Sequence, residues 1–365
     1  MQYRRFGKTE HNLSVFTLGT MRWLGLPDSA IDHLISTALD LGINHLETAP
    51  AYGEAEAQLG RTLGSRRERF FITSKLLPGT PDLEQKLHKS LKDLGTDYLD
   101  FFAWHGINLP EHLTWVQDQG MPILQRLKNQ GLVHFIGFST HGSLDLILAA
   151  IQTGLFDFVN LHYHYIQQRN APALMAAHTH DLGVLIISPA DKGGQLYQPP
   201  DRLRQLCQPW DPLHFAYQFL LSHPSIHTLS LGADHPNQIY EALVALNLDW
   251  DPTGRAIQAR LDEQLRSKGE CQQCYACLPC PEQIPIPEIL RLRNLVGAFD
   301  LKGFAQYRYN MLGQAGHWFP GAMGNHCSDC GECLPRCPSH LDIPKLLRDT
   351  HRQLYTRPIR RLWET

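Results

Sequence analysis

Short apolar runs alternate with longer amphipathic stretches along the first 265 residues of the sequence. The short runs predict buried strands, and stretches whose apolar positions recur every three or four residues predict helices. After a hairpin predicted at 3–6 and 13–15, the predicted strands lie near residues 17–19, 45–48, 70–74, 99–104, 133–137, 158–161, 184–187 and 228–231. Helices are predicted at about 30–41, 54–63, 82–94, 120–129, 143–152, 172–180, 201–222 and 236–246. Eight strands alternating with eight helices predict an α/β fold, the closed (β/α)8 or TIM barrel.

The pattern changes after residue 265, where cysteine becomes frequent. Cys207 stands alone in a predicted helix, where a buried apolar role is the simplest interpretation. The other eight cysteines form two groups of four, namely Cys271, Cys274, Cys277, Cys280, Cys327, Cys330, Cys333 and Cys337. Between the groups, residues 289–309 have the apolar period of a helix. We therefore predict a barrel domain at 1–265, a small α-helical domain at 266–350 and a tail at 351–365.

Charge and hydropathy exclude several classes of partner. The chain has 33 basic and 36 acidic side chains, and no charge run is long enough to favour nucleic-acid binding. The first residues lack the apolar stretch of a signal peptide, and no apolar run approaches the roughly 20 residues of a membrane span. We expect a cytoplasmic protein with no nucleic acid and no membrane among its partners.

The spacing of the cysteines predicts iron–sulfur clusters. The second group reads Cys-x2-Cys-x2-Cys-x3-Cys-Pro from Cys327 to Pro338, the ferredoxin run in which three thiolates bind one cluster and the fourth binds another. The cytosol keeps thiols reduced, which favours metal ligation over disulfides. A pair of four-cysteine zinc sites is the alternative, although zinc motifs rarely run four cysteines at this spacing before a proline.

The two cysteine groups form a quasi-repeat. Residues 277–291 align with 333–348, and the one residue that the first copy lacks corresponds to Arg336. Two copies of a cysteine loop followed by a proline-initiated helix predict a dicluster ferredoxin-like domain, in which each copy gives its last cysteine to the other's [4Fe-4S] cluster. The shorter first loop restricts where Cys280 can point, so one cluster beside a degenerate site remains the alternative to two clusters.

Four polar residues follow adjacent strands of the predicted barrel, where active sites of this fold lie. Glu47 ends the second strand, Tyr52 lies on the loop after it, Lys75 ends the third strand and His105 ends the fourth. Each alone also fits a structural role at a barrel rim, but their joint placement favours carbonyl reduction, in which a hydride reaches the carbonyl carbon and an acid protonates the oxygen.

Tyr52 is the acid in this hypothesis. A free phenol has a pKa of about 10, and a neighbouring Lys75 ammonium is expected to lower that pKa by stabilising the phenolate. Glu47 is expected to hold Lys75 by an ion pair. His105 is expected to orient the substrate oxygen as a neutral hydrogen-bond donor.

The segments that carry these residues resemble the aldo/keto reductase family. They are Gly42–Gly53 (GINHLETAPAYG), Thr73–Lys75, Trp104–His105 and Gly137–Ser139. Together with the cysteine runs, they resemble the branch of that family with a C-terminal ferredoxin-type domain. The resemblance implies a tetrad of Asp, Tyr, Lys and His, and Glu47 departs from it by one methylene.

The resemblance also implies a nicotinamide cofactor, NADPH or NADH. Ser139 and Asn160 stand where the family binds the carboxamide, and Gly194, Gly232 and Gln238 stand where it binds pyrophosphate and adenosine ribose. The family's preference for NADPH normally shows as a basic residue in the last of these loops. No Lys or Arg lies between residues 232 and 241, so NADPH over NADH is only a weak preference.

Three functions remain open at this point. Hydride transfer moves two electrons and a cubane accepts one, so the two halves exchange electrons only through a group such as a flavin, for which no motif is evident. The first hypothesis is a reductase of small aldehydes or ketones whose clusters are structural or regulatory. The second is a reductase that receives single electrons from a ferredoxin-like donor. The third is a non-enzymatic sensor of nicotinamide or redox state.

Overall fold

The computed structural model describes residues 1–268 and 271–356. The chain divides into two compact units, one of Met1–Gly193 with Leu213–Trp250, and one of Gly194–Pro212 with the residues from Asp251 onward. The boundaries expected from sequence at 265 and 350 stay predictions. The basic tail segment from residue 357 lies outside the described residues.

The first unit contains all of the strands in the described chain. A hairpin pairs β1 (Tyr3–Arg5) with β2 (Asn12–Ser14) in antiparallel fashion. The remaining strands are β3 (Phe16–Gly19), β4 (His45–Glu47), β5 (Phe71–Leu76), β6 (Leu99–His105), β7 (Val133–Ser139), β8 (Phe158–Leu161), β9 (Gly183–Ile186) and β10 (Thr228–Leu231). All eight are parallel to their neighbours and close into a barrel in the order β10-β3-β4-β5-β6-β7-β8-β9. The predicted α/β barrel is confirmed.

Ten helices lie between residues 28 and 244. They are α1 (Asp28–Asp40), α2 (Ala55–Leu63), α3 (Leu83–Leu94), α4 (Pro110–Trp115), α5 (Met121–Asn129), α6 (Leu144–Gln152), α7 (Ala171–Thr179), α8 (Asp201–Cys207), α9 (Pro212–Leu221) and α10 (Pro236–Val244). The single helix predicted at 201–222 is wrong, because Pro209 and Pro212 cannot donate the backbone hydrogen bonds that a continuous helix needs. Helix α4 was not predicted, and a π-helical turn at Val116–Gly120 joins it to α5.

The barrel interior changes from apolar to polar along its axis. Near the amino ends of the strands, Phe6 from the hairpin packs against Phe101 and Phe158, with ring centroids 5.5 and 5.7 Å apart. Above this layer the fully buried His45 ring hydrogen-bonds Thr17 at 2.8 Å and Thr73 at 2.7 Å. These bonds join β3, β4 and β5. The apolar end is therefore sealed, and polar side chains collect toward the carboxyl ends.

The second unit is helical beyond residue 254. Its helices there are α11 (Arg255–Lys268), α12 (Ile286–Phe299), α13 (Lys302–Asn310) and α14 (Ile343–Leu354). The one helix predicted at 289–309 is two, because Asp300 adopts a left-handed conformation with φ of 58°. Helix α14 continues through the boundary predicted at 350. No helix in the described part of the chain has the length and apolarity needed to cross a membrane.

Candidate active site and cysteine module

The polar side chains singled out on the barrel strands share its uppermost interior layer. Side chains alternate between the two faces of a strand, so residues 45 and 47, or 73 and 75, point inward together. In the strand register His105 is paired with Ser139, and Ser139 with Asn160. Glu47 and Lys75 stand on the neighbouring strands β4 and β5. Strand closure therefore brings these five residues to one end of the barrel.

A buried ion pair lies at the centre of this layer. Lys75 Nζ donates to Glu47 Oε1 and, at 2.9 Å, to the carbonyl oxygen of Thr48. The side chains of Glu47 and Lys75 are only 4% and 2% exposed. A charge so well removed from water requires a partner, and each of these two groups is the other's partner.

Tyr52 completes the arrangement from a short helical turn, Pro50–Tyr52, that follows β4. Its hydroxyl accepts a hydrogen bond from Lys75 Nζ and donates one to Glu47 Oε1, both at 3.3 Å. The Lys75 ammonium also lies 4.9 Å from the Tyr52 ring centroid. The His105 ring meets the Tyr52 ring edge to face, with centroids 5.6 Å apart. The structure thus brings together all four residues of the predicted tetrad.

The electrostatics of the phenol differ from the expectation. Burial and the adjacent Glu47 carboxylate raise the pKa of Tyr52 well above its ordinary value. The sequence argument considered only Lys75, which would lower that pKa, whereas the longer Glu47 side chain places a carboxylate against the same hydroxyl. Tyr52 is consequently a protonated phenol at neutral pH, the state that an acid must have before it donates.

The ion pair keeps both of its charges despite burial. Burial by itself raises the pKa of Glu47, but the Lys75 ammonium and hydrogen bonds from Lys75 and Ser230 outweigh it and bring that pKa below its usual range. Burial lowers the pKa of Lys75, and Glu47 opposes that change. A carboxylate and an ammonium in mutual contact are the stable state of this pair.

The buried side chain of Asn160 in this layer has hydrogen-bonding groups that a ligand could satisfy. Its side chain is fully buried, and neither atom of its amide has a hydrogen-bond partner among the described residues. Ser139 Oγ, one strand away, accepts from Gly106 N at 3.1 Å. A buried amide without partners is unfavourable by roughly 1–3 kcal/mol, so a bound group with its own donor and acceptor fits here. The carboxamide of a nicotinamide is such a group.

The other predicted cofactor residues are placed differently. Gly232 follows β10, and a Cβ there would lie 3.3 Å from Arg22 Cδ. Gln238 Oε1 accepts from Asp234 N at 2.9 Å at the start of α10. Gly194 belongs to the second compact unit, so its relation to the other four residues stays a prediction.

The structure adds two residues that the sequence argument missed. Arg22, from the loop after β3, makes ion pairs with Asp191 at 2.5 Å and Asp234 at 3.9 Å. Arg22 thus places a cation beside the loop at 232–241, which has no Lys or Arg of its own. Ser230 on β10 donates to Glu47 Oε2 at 2.9 Å. The available signal was the inward alternation of Thr228 and Ser230 on the last strand.

In the second unit the two cysteine groups interleave. One pocket is lined by Cys327, Cys330 and Cys333 of the second group together with Cys280 of the first. Around Cys271, burial raises the thiol pKa, hydrogen bonds from Gln273 oppose the rise, and the nearby sulfurs of Cys274 and Cys337 add to it. Cys327, Cys330 and Cys333 therefore lie near Cys280, and Cys271 lies near Cys337. A dicluster ferredoxin fold exchanges its last cysteines in this way.

The quasi-repeat extends to the backbone. Three pairs of equivalent residues adopt positive φ, namely Gln273 and Asp329 (57° and 57°), Tyr275 and Gly331 (61° and 77°), and Gln283 and His340 (54° and 51°). Helices α12 and α14 both begin at an Ile-Pro step. Arg336, the residue without a counterpart, donates to the Pro279 carbonyl of the first group at 3.0 Å. The two loops are thus folded alike although their lengths differ.

Across residues 1–268 and 271–356, no three His, Cys, Asp or Glu side chains converge on a point where a single metal ion would be held. A cubane does not require this convergence, because its four cysteines bind four different irons.

Models of known protein families match both the barrel region and the cysteine region of the chain. The family model for aldo/keto reductases matches residues 16–253, and the model for the 4Fe-4S dicluster domain matches residues 270–342. Among solved structures, an aldo-keto reductase from Bacillus halodurans in its holo form has a TM-score of 0.62 at 20% identity, covering 71% of this chain and 96% of that one. A putative aldo-keto reductase from Pseudomonas aeruginosa has a TM-score of 0.57 at 24% identity, covering 70% and 95%.

Curated relatives match about half of the chain. An aldo/keto reductase of Synechocystis is 31% identical over 207 residues, which is 48% of this chain and 61% of that protein. An uncharacterized oxidoreductase of Bacillus subtilis is 24% identical over 208 residues, covering 53% and 66%. The alignments therefore span less than two thirds of these relatives' length. With the family model covering most of the barrel, the chain belongs to the aldo/keto reductase family and carries a C-terminal 4Fe-4S dicluster domain.

Proposed function

We propose that the barrel is an NADPH- or NADH-dependent reductase of a small carbonyl substrate. The observation that carries this proposal is the Tyr52 hydroxyl, which lies 3.3 Å from the Lys75 ammonium, with His105 against the Tyr52 ring. A reduction that delivers a hydride to a carbonyl carbon needs an acid for the oxygen, and this group supplies it. The nicotinamide supplies the hydride when it is bound.

Each residue has a role that follows from its contacts. Tyr52 turns its hydroxyl from Glu47 to the substrate oxygen and gives up its proton there. Lys75, already hydrogen-bonded to the phenol oxygen, stabilises the phenolate that remains. Glu47 keeps Lys75 charged and in place. His105 positions the substrate oxygen by hydrogen bonding.

The proposed cofactor contacts begin at Asn160, whose buried amide suits the carboxamide, and at its neighbour Ser139. Gly232 and Gln238 are proposed to approach the pyrophosphate and ribose. A relative from Schizosaccharomyces pombe, 32% identical over 116 residues, is an NAD/NADP-dependent indole-3-acetaldehyde reductase. That relative supports a nicotinamide of either kind and an aldehyde as substrate.

We propose that the cysteine module holds two [4Fe-4S] clusters, one on Cys271, Cys274, Cys277 and Cys337 and the other on Cys327, Cys330, Cys333 and Cys280. The pocket formed by the last four residues supports this division. Nine unpaired cysteines also support a cytoplasmic location, where thiols stay reduced.

A ferredoxin-like donor is the second candidate. Cys274 and Cys330 are exposed, one in each group. Clusters that reach the surface are accessible to a partner that carries single electrons. In this alternative the tetrad supplies protons and the clusters supply electrons.

The test uses anaerobically purified full-length protein. We expect turnover of small aldehydes with NADPH or NADH, no cluster bleaching by the nucleotide alone, and at least a hundredfold loss of kcat in Tyr52→Phe. Tyr3→Phe is the matched control, since Tyr3 OH bonds the Gly42 carbonyl at the hairpin, away from the site. Undiminished turnover in Tyr52→Phe would contradict the assignment of Tyr52 as the acid. Turnover that requires reduced ferredoxin would favour the second candidate.

Metal analysis tests the module separately. Two cubanes require about eight irons and eight sulfides per chain. About four of each would mean that one site is degenerate, and zinc in place of iron would reject the clusters.

A further inference from the structure

The Glu47 carboxylate is bound through both of its oxygens. Oε1 contacts Lys75 and, at 3.3 Å, the Tyr52 hydroxyl. Oε2 accepts a hydrogen bond from Ser230 Oγ at 2.9 Å. Ser230 and Glu47 are both buried, so this contact lies away from bulk water. The carboxylate is therefore fixed from β10 as well as from β5.

The Ser230 contact crosses an intervening strand. The barrel order places β3 between β10 and β4, and the inward residue of β3 at this level is Gly19. A Cβ at position 19 would lie 2.8 Å from Ser230 Oγ and 3.6 Å from Glu47 Oε2. The hydrogen bond passes over the space that the glycine leaves open, and any side chain there would displace it.

The Ser230 contact also depends on the length of the Glu47 side chain. An aspartate at position 47 is shorter by one methylene and cannot reach Lys75 and the far side of β3 together. The extra methylene, the bare Gly19 and the Ser230 hydroxyl consequently belong to one arrangement.

We propose that Ser230 is a positioning residue for Tyr52 and acts through Glu47. It holds Oε2 so that Oε1 stays between Lys75 and the phenol, which sets the direction of the Tyr52 proton. Ser230 has no contact with Tyr52 itself among the described hydrogen bonds. The inference rests on the proposed role of Tyr52 as the acid.

The expected phenotype follows from this geometry. In Ser230→Ala a buried, charged oxygen loses its donor, and we expect kcat to fall about tenfold, as loss of one charge-assisted hydrogen bond predicts. KM for the carbonyl substrate should not change. The acidic limb of the kcat profile should move to higher pH, because the Ser230 bond helps to lower the pKa of Glu47. The other titratable groups that bear on Glu47 are Lys75, Tyr52, His105 and His45.

A double-mutant cycle separates positioning from a general structural effect. In the Glu47→Asp background the carboxylate cannot reach Ser230, so Ser230→Ala should cause no further loss of kcat. Gly19→Ala should reproduce the Ser230→Ala phenotype, because it breaks the same bond from β3. Ser14→Ala is the matched control. Ser14 ends β2, is fully buried, and its hydroxyl donates to the Phe16 carbonyl at 2.6 Å.

The outcomes are distinguishable. Additive losses in the cycle, a changed KM with unchanged kcat, or a Ser230→Ala profile equal to that of Ser14→Ala would overturn the role of Ser230 while Tyr52→Phe remains inactive. If Tyr52→Phe is fully active, the proposed function fails and this inference falls with it. Should Ser230→Ala not fold, Gly19→Ala and Glu47→Asp test the same hydrogen bond between Ser230 and Glu47.

Discussion

The barrel site and the cysteine module place reactive groups by different means. In the barrel, side chains from neighbouring strands hold one another, as Glu47 is held by Lys75 and Ser230. In the module, two loops with matched left-handed residues carry the thiols, so the backbone of each loop sets where its cysteines lie. The barrel site should therefore be sensitive to side-chain length and charge, whereas the module should be sensitive to residue spacing.

The largest expected effect is the loss of a whole cluster. Cys333→Ser removes a buried thiol from the pocket that Cys280, Cys327 and Cys330 share, which is the proposed site of one cluster. We expect iron to fall to about four per chain, one cubane instead of two. Cys207→Ser is the control, because Cys207 lies outside both groups and should leave the iron content unchanged. An unchanged iron content in Cys333→Ser would contradict the assignment.

Spacing is the next test, and it compares the two loops directly. Deleting Arg336 gives the second group the spacing of the first and shifts Cys337 relative to its neighbours. We expect loss of the cluster that Cys337 is proposed to bind, again measured as iron per chain. Arg336→Ala, which keeps the spacing and loses only the bond to the Pro279 carbonyl, should retain both clusters. Equal iron in the deletion and the substitution would show that side-chain contacts, not spacing, govern the module.

In the barrel the corresponding sensitivity is to charge. Lys75→Met leaves the Glu47 carboxylate buried without its ammonium, and we expect the free energy of unfolding to fall by about 3–5 kcal/mol. Denaturant unfolding measures this change. Lys8→Met is the comparison, because Lys8 pairs with Asp157 at 3.8 Å and is itself well exposed. That variant should change stability by about 1 kcal/mol or less, and similar losses in both variants would argue against a special role for burial.

The smallest expected effect distinguishes the two proposed clusters from each other. Gln273 Nε2 donates to Cys271 Sγ at 3.3 Å and to the Pro287 carbonyl at 3.0 Å, whereas the equivalent Asp329 pairs with Arg348 instead. An N–H bond to a ligand sulfur stabilises the reduced cluster. Gln273→Leu should thus lower the reduction potential of one cluster in a titration followed by electron paramagnetic resonance. The second cluster is the internal control, and equal shifts in both would refute the difference.

Local pattern was sufficient for much of the fold. The eight strands could be predicted because each is a short apolar run, and the cysteine spacing identified the second domain. The split of the 201–222 helix was missed because its apolar period continues across Pro209 and Pro212. The contacts of Ser230 and Arg22 depend on closure of the barrel between β10 and β3, which joins residues about 200 positions apart. No local signal contains that information.

The direction in which the Tyr52 pKa shifts was not predicted, for a related reason. Sequence identifies Lys75 and Glu47 as neighbours of the phenol, but not which of them outweighs the other. That balance depends on burial and on where the carboxylate points, and only the assembled site determines these.

The hydrogen bond that passes over Gly19 also constrains how the barrel can evolve. A relative that acquires aspartate at position 47 no longer uses the open space on β3, so positions 19 and 230 become free to accept other residues. In the opposite direction, glutamate at 47 forms its bond to Ser230 only where a glycine at 19 leaves room for it. The three positions should therefore change in a fixed order along a lineage, with the smallest residue appearing first.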